Sequence, residues 1–268
     1  MGLRVALVTA SSAGLGAAIA KSIVDDFHVV INYHGDAARA EATLNQLRTL
    51  VETRSSHEEV SEKATTAPAH NLRVPRVLAL QADMGCRASI AQLVKDVVDQ
   101  MGRLDVVISN GGWTRIRDFQ DLDDNVNEED WDRCWNVNVK SHLWLLHASK
   151  QHLESSPNGA FISIASVAGV KPSGSSIAYA VTKAAQIHLV KCLAAVVSPL
   201  VRVNCVSPGI LMTDWGRQFP DDKLTLARET TLLKRFATVE DVAEQVKSMV
   251  LSSSITGVNM VVDAGFSL

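Results

Sequence analysis

Tyr179 and Lys183 stand four residues apart in Tyr179-Ala180-Val181-Thr182-Lys183, a spacing that puts both side chains on one face of a helix. A free phenol titrates near ~10 and is a poor acid or base at neutral pH, whereas a fixed ammonium one turn away favours the phenolate. The pattern alone is weak, because any helix can carry it and tyrosine often serves only in packing. The chain has just two tyrosines, Tyr33 and Tyr179, so a chance pairing is less expected than usual. A second stretch suits a different chemistry. Thr9-Ala10-Ser11-Ser12-Ala13-Gly14-Leu15-Gly16 follows an apolar run and opens a helix-like segment. Small residues there let the backbone turn tightly, and a pyrophosphate can then approach free N–H groups at a helix N-terminus. A small-residue turn with no ligand is the plain alternative.

Short β-branched runs must position these residues. Strands are expected at Leu3–Thr9, His28–Asn32, Val77–Gln81, Val106–Ser109, Ala160–Ile164, Arg202–Val206 and Val258–Val262. They read as continuous apolar runs, the signature of strands covered on both faces. Helices are expected at Gly14–Asp26, Asp36–Thr53, Ala88–Met101, Glu128–Leu153, Ile177–Val197 and Val239–Leu251, the last capped by Thr238 with Asp241 three residues on. Such alternation predicts one doubly wound, Rossmann-like α/β domain over 1–268, with a mostly parallel seven-stranded sheet and helices on both faces. Two segments break the rhythm: 54–76, read as an exposed insertion, and 208–238, read as a partly apolar lid.

The bulk numbers narrow the partners. Of the 268 residues 47% are apolar and 21% charged, ordinary for a globular protein. With 26 basic against 29 acidic residues the net charge is −3, which gives no electrostatic case for nucleic acid or a membrane surface. No apolar run is read as approaching the roughly 20 residues that cross a bilayer. The cysteines, Cys86, Cys134, Cys192 and Cys205, are scattered without a CxxC pair, so neither a metal nor a disulfide framework is expected and a cytoplasmic setting is the default.

Taken together in chain order, these motifs resemble the short-chain dehydrogenase/reductase family. The loop after the first strand looks like its TGxxxGxG signature, with Ala10 where the first glycine usually stands; the added Cβ is expected to be tolerated if φ there is negative. Asn110-Gly111-Gly112 stands where the family has NAG, and Asp83, followed by Met84, resembles its adenine contact. Ser166, thirteen residues before Tyr179, matches the catalytic serine, with Ser163 as a competitor. Asn138 matches the asparagine that orders a proton-relay water beside Lys183, with Asn136 as fallback. Pro208-Gly209, with Thr213 in reach, resembles the motif whose backbone contacts the nicotinamide carboxamide.

The resemblance implies hydride transfer between a nicotinamide dinucleotide and a carbonyl/alcohol pair. Tyr179 is then the acid/base, Ser166 the donor to the substrate oxygen and Lys183 the holder of the ribose hydroxyls. Thr9, Ala10, Ser11, Ser12, Gly14, Leu15 and Gly16 are expected to cradle the cofactor. Cofactor choice falls to Tyr33 and His34: the absence of an acid there, with Ser11 and Arg39 nearby, favours NADP(H), while Asp36 keeps NAD(H) open. Trp113, Val167 and Trp215, with Lys171, Met212 and Phe219, are expected at a substrate pocket suited to a flat or apolar carbonyl compound or alcohol. The Ile177–Val197 helix, apolar nearly all round, implies a homodimer or homotetramer. An enzyme oxidising alcohols with NAD, one using the bound nucleotide for epimerisation or dehydration, and a regulator that lost turnover are the alternatives.

Overall fold

The computed structural model describes residues 3–58 and 76–268. Among these, β1 (Arg4–Val8), β2 (Phe27–Tyr33), β3 (Val77–Gln81), β4 (Val106–Ser109), β5 (Gly159–Ile164), β6 (Val201–Pro208) and β7 (Asn259–Val262) form one sheet in the order β3-β2-β1-β4-β5-β6-β7. Every neighbouring pair is parallel, which sharpens the expectation of a mostly parallel sheet. The strands carry apolar residues on both faces because their alternate residues serve two cores. Ala6, Val8, Val29, Ile31, Ile108 and Ile162 face α1 (Gly14–Ile23), α2 (Ala37–Glu58) and α8 (Val239–Leu251). Val5, Leu7, Val30, Val107, Phe161 and Val203 face α3 (Arg87–Met101), α5 (Ser141–Glu154) and α6 (Ile177–Val197).

The chain builds outward from β1 to β3 and then returns to β4 on the other side of β1. At such a reversal the helices diverge to opposite faces, leaving a crevice beyond the carboxyl ends of β1 and β4. Both ends of this seam are tied. Below, the Asp105 carboxylate accepts from Val5 N at 2.8 Å, from Arg103 Nε and Nη2 at 2.7 Å and from Ser156 Oγ at 2.7 Å. Above, Thr9 Oγ1 accepts from Asn110 N at 2.9 Å.

Several boundaries differ from expectation. Helix α2 continues through Glu58, so the start of the 54–76 segment is helical; 59–75 lie outside the described residues. The single helix expected over Glu128–Leu153 is α4 (Glu128–Trp135), a π-helical turn over Asn136–Lys140, and α5. The 208–238 segment holds a 3-10 turn, Gly216–Gln218, and α7 (Asp221–Thr230), none of whose residues is buried. The Thr238–Asp241 capping box forms as expected. Contrary to the sequence expectation, α6 is long and apolar enough to cross a membrane by length and composition. It carries Lys183 and Lys191, however, and packs on β6 and the turn Val167–Gly169.

Ala10 overturns its expectation: its φ is +49°, in the left-handed region that favours glycine. The strained turn is fixed from two sides. Ala10 N donates to Asn32 Oδ1, and Ala10 O accepts from Asn110 Nδ2, each at 3.0 Å. Ala10→Gly should relieve the Cβ clash and stabilise the fold by about 0.5–1 kcal/mol net of the added chain entropy, a rise of about 2 °C in Tm by calorimetry.

Asp105 makes a second test. Burial acts to raise its pKa, but the Arg103 guanidinium, Val5 N–H and Ser156 hydroxyl outweigh it and hold the carboxyl below its ordinary value. A carboxylate so held stabilises the fold above the unfolded value, near ~4, and loses that contribution as pH falls through the lower folded value. Asp105→Asn should cost about 2–3 kcal/mol at pH 7 in urea unfolding. The stability gap between variant and parent should narrow below pH 4.

Candidate active site

The carboxyl ends of β1, β4, β5 and β6 open into one cleft of about 480 Å³. Of the residues singled out in the sequence, Ala10, Gly14, Leu15, Asn110, Gly112, Ser166, Val167, Tyr179, Lys183, Pro208, Gly209, Thr213 and Trp215 line it.

At its centre lies α6. Ser176 caps the helix by accepting from Tyr179 N at 3.1 Å, which fixes the first turn at the tyrosine. Lys183 is one turn on, its Nζ over the Tyr179 ring at 5.6 Å from the centroid, and both side chains are buried. Ser166 follows β5 and lines the same cleft as the phenol, its Oγ accepting from Ala168 N at 3.1 Å. Trp215 packs edge-on against Tyr179, with ring centroids 5.6 Å apart at 81°. Ser163, the rival serine, is inside β5 and wholly buried.

The electrostatics differ from the sequence expectation. Burial pushes the Tyr179 phenol up to about 12, with the nearby Ser166 hydroxyl pulling the other way. Burial also brings Lys183 down to about 7, opposed by Cys134 and Cys205. The protein groups therefore keep the phenol protonated at neutral pH, while the ammonium is the group poised to titrate there.

Asn138 is fully buried, and its side chain is committed. Oδ1 accepts from Trp113 N at 2.8 Å, and Nδ2 donates to Trp113 O at 2.9 Å and Thr182 Oγ1 at 3.0 Å. It thereby clamps the Gly112-Trp113 loop beside Lys183; a Cβ at Gly112 would sit 3.5 Å from Lys183 Nζ and 3.6 Å from Asn138 Oδ1. Asn136, the fallback, instead donates to Gly85 O at 2.7 Å. Trp113, expected at the substrate, packs against the cluster of Cys134, Ala168 and Tyr179, and its ring lies under the Arg133 guanidinium, 4.6 Å away. Met212 is exposed outside the cleft wall, and Lys171 Nζ donates to Phe266 O at 2.9 Å, anchoring a ring that does line it.

The nucleotide end is built from the glycine turn. Ala13, at the N-cap of α1, has no side-chain acceptor to satisfy the first N–H groups, so these donors remain for a ligand. At Gly16 a Cβ would meet Ala10 O at 2.5 Å and Asn110 Nδ2 at 2.7 Å, so only glycine lets α1 start this close to the β4 loop. The cleft therefore fits a dinucleotide phosphate. Not every loop residue faces it. Ser11 is fully buried, its Oγ donating to Val8 O at 2.6 Å and accepting from Asn32 N at 3.0 Å, so it does not reach a 2′-phosphate as expected. Thr9 ties β1 to β4, and Ser12 offers its carbonyl to Thr43. Tyr33 ends β2, and His34, which follows it, is exposed. Asp83 Oδ1 accepts from Gly85 N at 2.7 Å, and Met84 sits against Gly111. Asp36 accepts from Arg39 N at 2.8 Å, and Arg39, which lines the cleft, pairs with Asp214 at 2.9 Å.

Sequence reading missed Gly169. A Cβ there would lie 2.5 Å from Lys183 C and 2.7 Å from Ala184 N, so this glycine lets the Ser166 turn touch the α6 backbone. Its signal was a glycine three residues after Ser166. Also missed were Ser176 and the buried His142 and Gln186, which look like ordinary helix residues in the sequence. Among the described residues no cluster of His, Cys, Asp and Glu could hold a metal.

The model of the family described as enoyl-(acyl carrier protein) reductase matches residues 49–267. A Streptomyces violaceoruber protein named as ketoacyl reductase 2 of the granaticin polyketide synthase is 35% identical, with 98% of this chain and 96% of that one covered. Tropinone reductase-like 3 of Erythroxylum coca is 30% identical, covering 98% and 92%. A Burkholderia cenocepacia short-chain dehydrogenase solved with NADP is 28% identical, with a TM-score of 0.81 over 99% of this chain and 98% of that one. The chain belongs to the short-chain dehydrogenase/reductase family, NAD(P)-dependent oxidoreductases acting on C=O and CH–OH groups.

Proposed function

We propose that residues 1–268 form a single catalytic domain that reduces an apolar ketone or acyl carbonyl with NADPH, Tyr179 acting as general acid. The observation that carries this reading is the buried Tyr179, with Lys183 Nζ over its ring and Ser166 beside it, in the cleft that starts at the glycine turn. When bound, the nicotinamide supplies the hydride for the carbonyl carbon. Ser166 orients the substrate oxygen by donating to it, and Tyr179 O–H passes its proton to that oxygen as negative charge develops. The phenolate left behind is stabilised by the Lys183 ammonium one turn away. Trp215, Val167, Phe219 and Phe266 give this end an apolar wall. The relatives named as ketoacyl and tropinone reductases support carbonyl reduction.

Arg39 supports NADP(H) over NAD(H): its guanidinium is the cleft-lining cation at the nucleotide end, and the carboxylate of Asp36 is engaged with it rather than free for a ribose hydroxyl. The family relationship and the exposed Leu143 of α5 with Val181 and Val196 of α6 support a homodimer or homotetramer. A cytoplasmic location fits the same reading.

The test is loss of reduced-nucleotide absorbance with a panel of ketones, run with NADPH and NADH. Tyr179→Phe should cut kcat about 10²–10⁴-fold while nucleotide affinity holds, and an unchanged rate refutes the assignment. Arg39→Ala should raise KM for NADPH about tenfold and leave that for NADH unmoved. Equal effects on both would return the choice to NAD(H).

A further inference from the structure

Lys183 is held from behind. Its Nζ donates to Gln186 Oε1 at 2.8 Å and to Ile164 O at 3.0 Å, and the side chain is 2% exposed. An ammonium has three donors, so one proton remains for the cleft that Lys183 lines. Gln186 is itself locked. Its Nε2 donates to Ser163 Oγ at 2.7 Å and Ile164 O at 3.0 Å, which turns Oε1 toward the lysine. Behind it, His142 Nδ1 lies 3.1 Å from Ser163 Oγ and 2.7 Å from Ser109 Oγ. The network therefore joins the ends of β4 and β5 to α5 and α6 through side chains that are all at least 97% buried.

We infer that Gln186 is a positioning residue that backs the Lys183 ammonium and directs its remaining proton at the reacting site. The inference rests on the proposed roles of Tyr179 and Lys183. The titratable groups facing Lys183 are Tyr179 on α6, Cys134 on α4, His142 on α5 and Cys205 on β6. Burial keeps Cys134 and Cys205 up at about 11 and 12 and His142 down at about 3, so all three are neutral near pH 7. The phenol is neutral there too, and the hydrogen-bond acceptors that hold the buried cation are the Gln186 amide and the Ile164 carbonyl.

Gln186→Leu removes the acceptor at similar volume, and Gln186→Glu replaces it with an anion. In cofactor-free protein labelled with ¹³C-lysine, with Lys183→Met to assign the Cε signal, the ammonium-to-amine midpoint should fall by about one pH unit in the Leu variant and rise by about one in the Glu variant. The alkaline limb of kcat against pH should move the same way, and kcat of the Leu variant at pH 8 should drop about tenfold. Circular dichroism melts establish that each variant is folded; should the Leu variant not fold, the Glu variant decides alone. A midpoint unchanged in the folded variants overturns the inference, even where Tyr179→Phe abolishes turnover. Midpoints that move in opposite directions while Tyr179→Phe retains full turnover uphold Gln186 and sink the catalytic reading instead.

Discussion

A lysine ammonium enclosed by protein needs a partner for each proton it keeps, and that requirement organises the carboxyl edge of this sheet. For two of its three protons Lys183 meets it with the Ile164 carbonyl at the end of β5 and an amide on its own helix. Because the carbonyl belongs to the strand that delivers Ser166, the lysine, tyrosine and serine are registered against one another through backbone rather than through flexible side chains. The lower pKa of Lys183 follows from the same enclosure, since burial disfavours the charge that the dipoles retain.

The rest of the site depends on how closely other elements approach this helix. Gly169 lets the turn after β5 rest on the α6 backbone, Ser176 fixes its first turn, and Trp215 covers the phenol from the 208–238 segment. Asn138 performs a parallel task on the other wall, pinning the loop after β4 through both backbone groups of Trp113. Two of these fixings use buried polar side chains, which are tolerated because their hydrogen bonds are made.

Patterns governed by local periodicity were legible. The apolar strands, the Tyr179–Lys183 spacing, the Thr238 cap and the glycine turn each follow from rules acting within a few residues. What stayed hidden depends on contacts across the chain. Ser11 looked available to a ligand, yet its hydroxyl closes the β1–β2 seam. The stacking of Trp113 with Arg133, twenty residues on, gave no local sign. Ala10 carries a φ that residue type alone argues against, and it is held there by Asn32 and Asn110. The expected acidifying effect of Lys183 on the phenol assumed water-like surroundings; burial reverses the direction. Gln186 and His142 could not be singled out, because Ser163, Ile164 and Ser109, which fix their orientation, lie on other elements.

The wide turn over Asn136–Lys140 sets the angular phase of the helix pair it joins. Asp130, Cys134, Asn138 and His142 are all buried at intervals of four. In a regular α-helix each such step overshoots a full rotation by about 40°, so three would carry the last residue about a third of the way round. A turn closing over five residues takes back that drift and keeps the stripe facing inward. Chain length is therefore constrained at this point although no loop is present. Deleting one residue would leave a helix that is better by its own hydrogen bonds but swung by about 100°, withdrawing His142 from Ser109 and turning Leu145 and Leu146 out of the core.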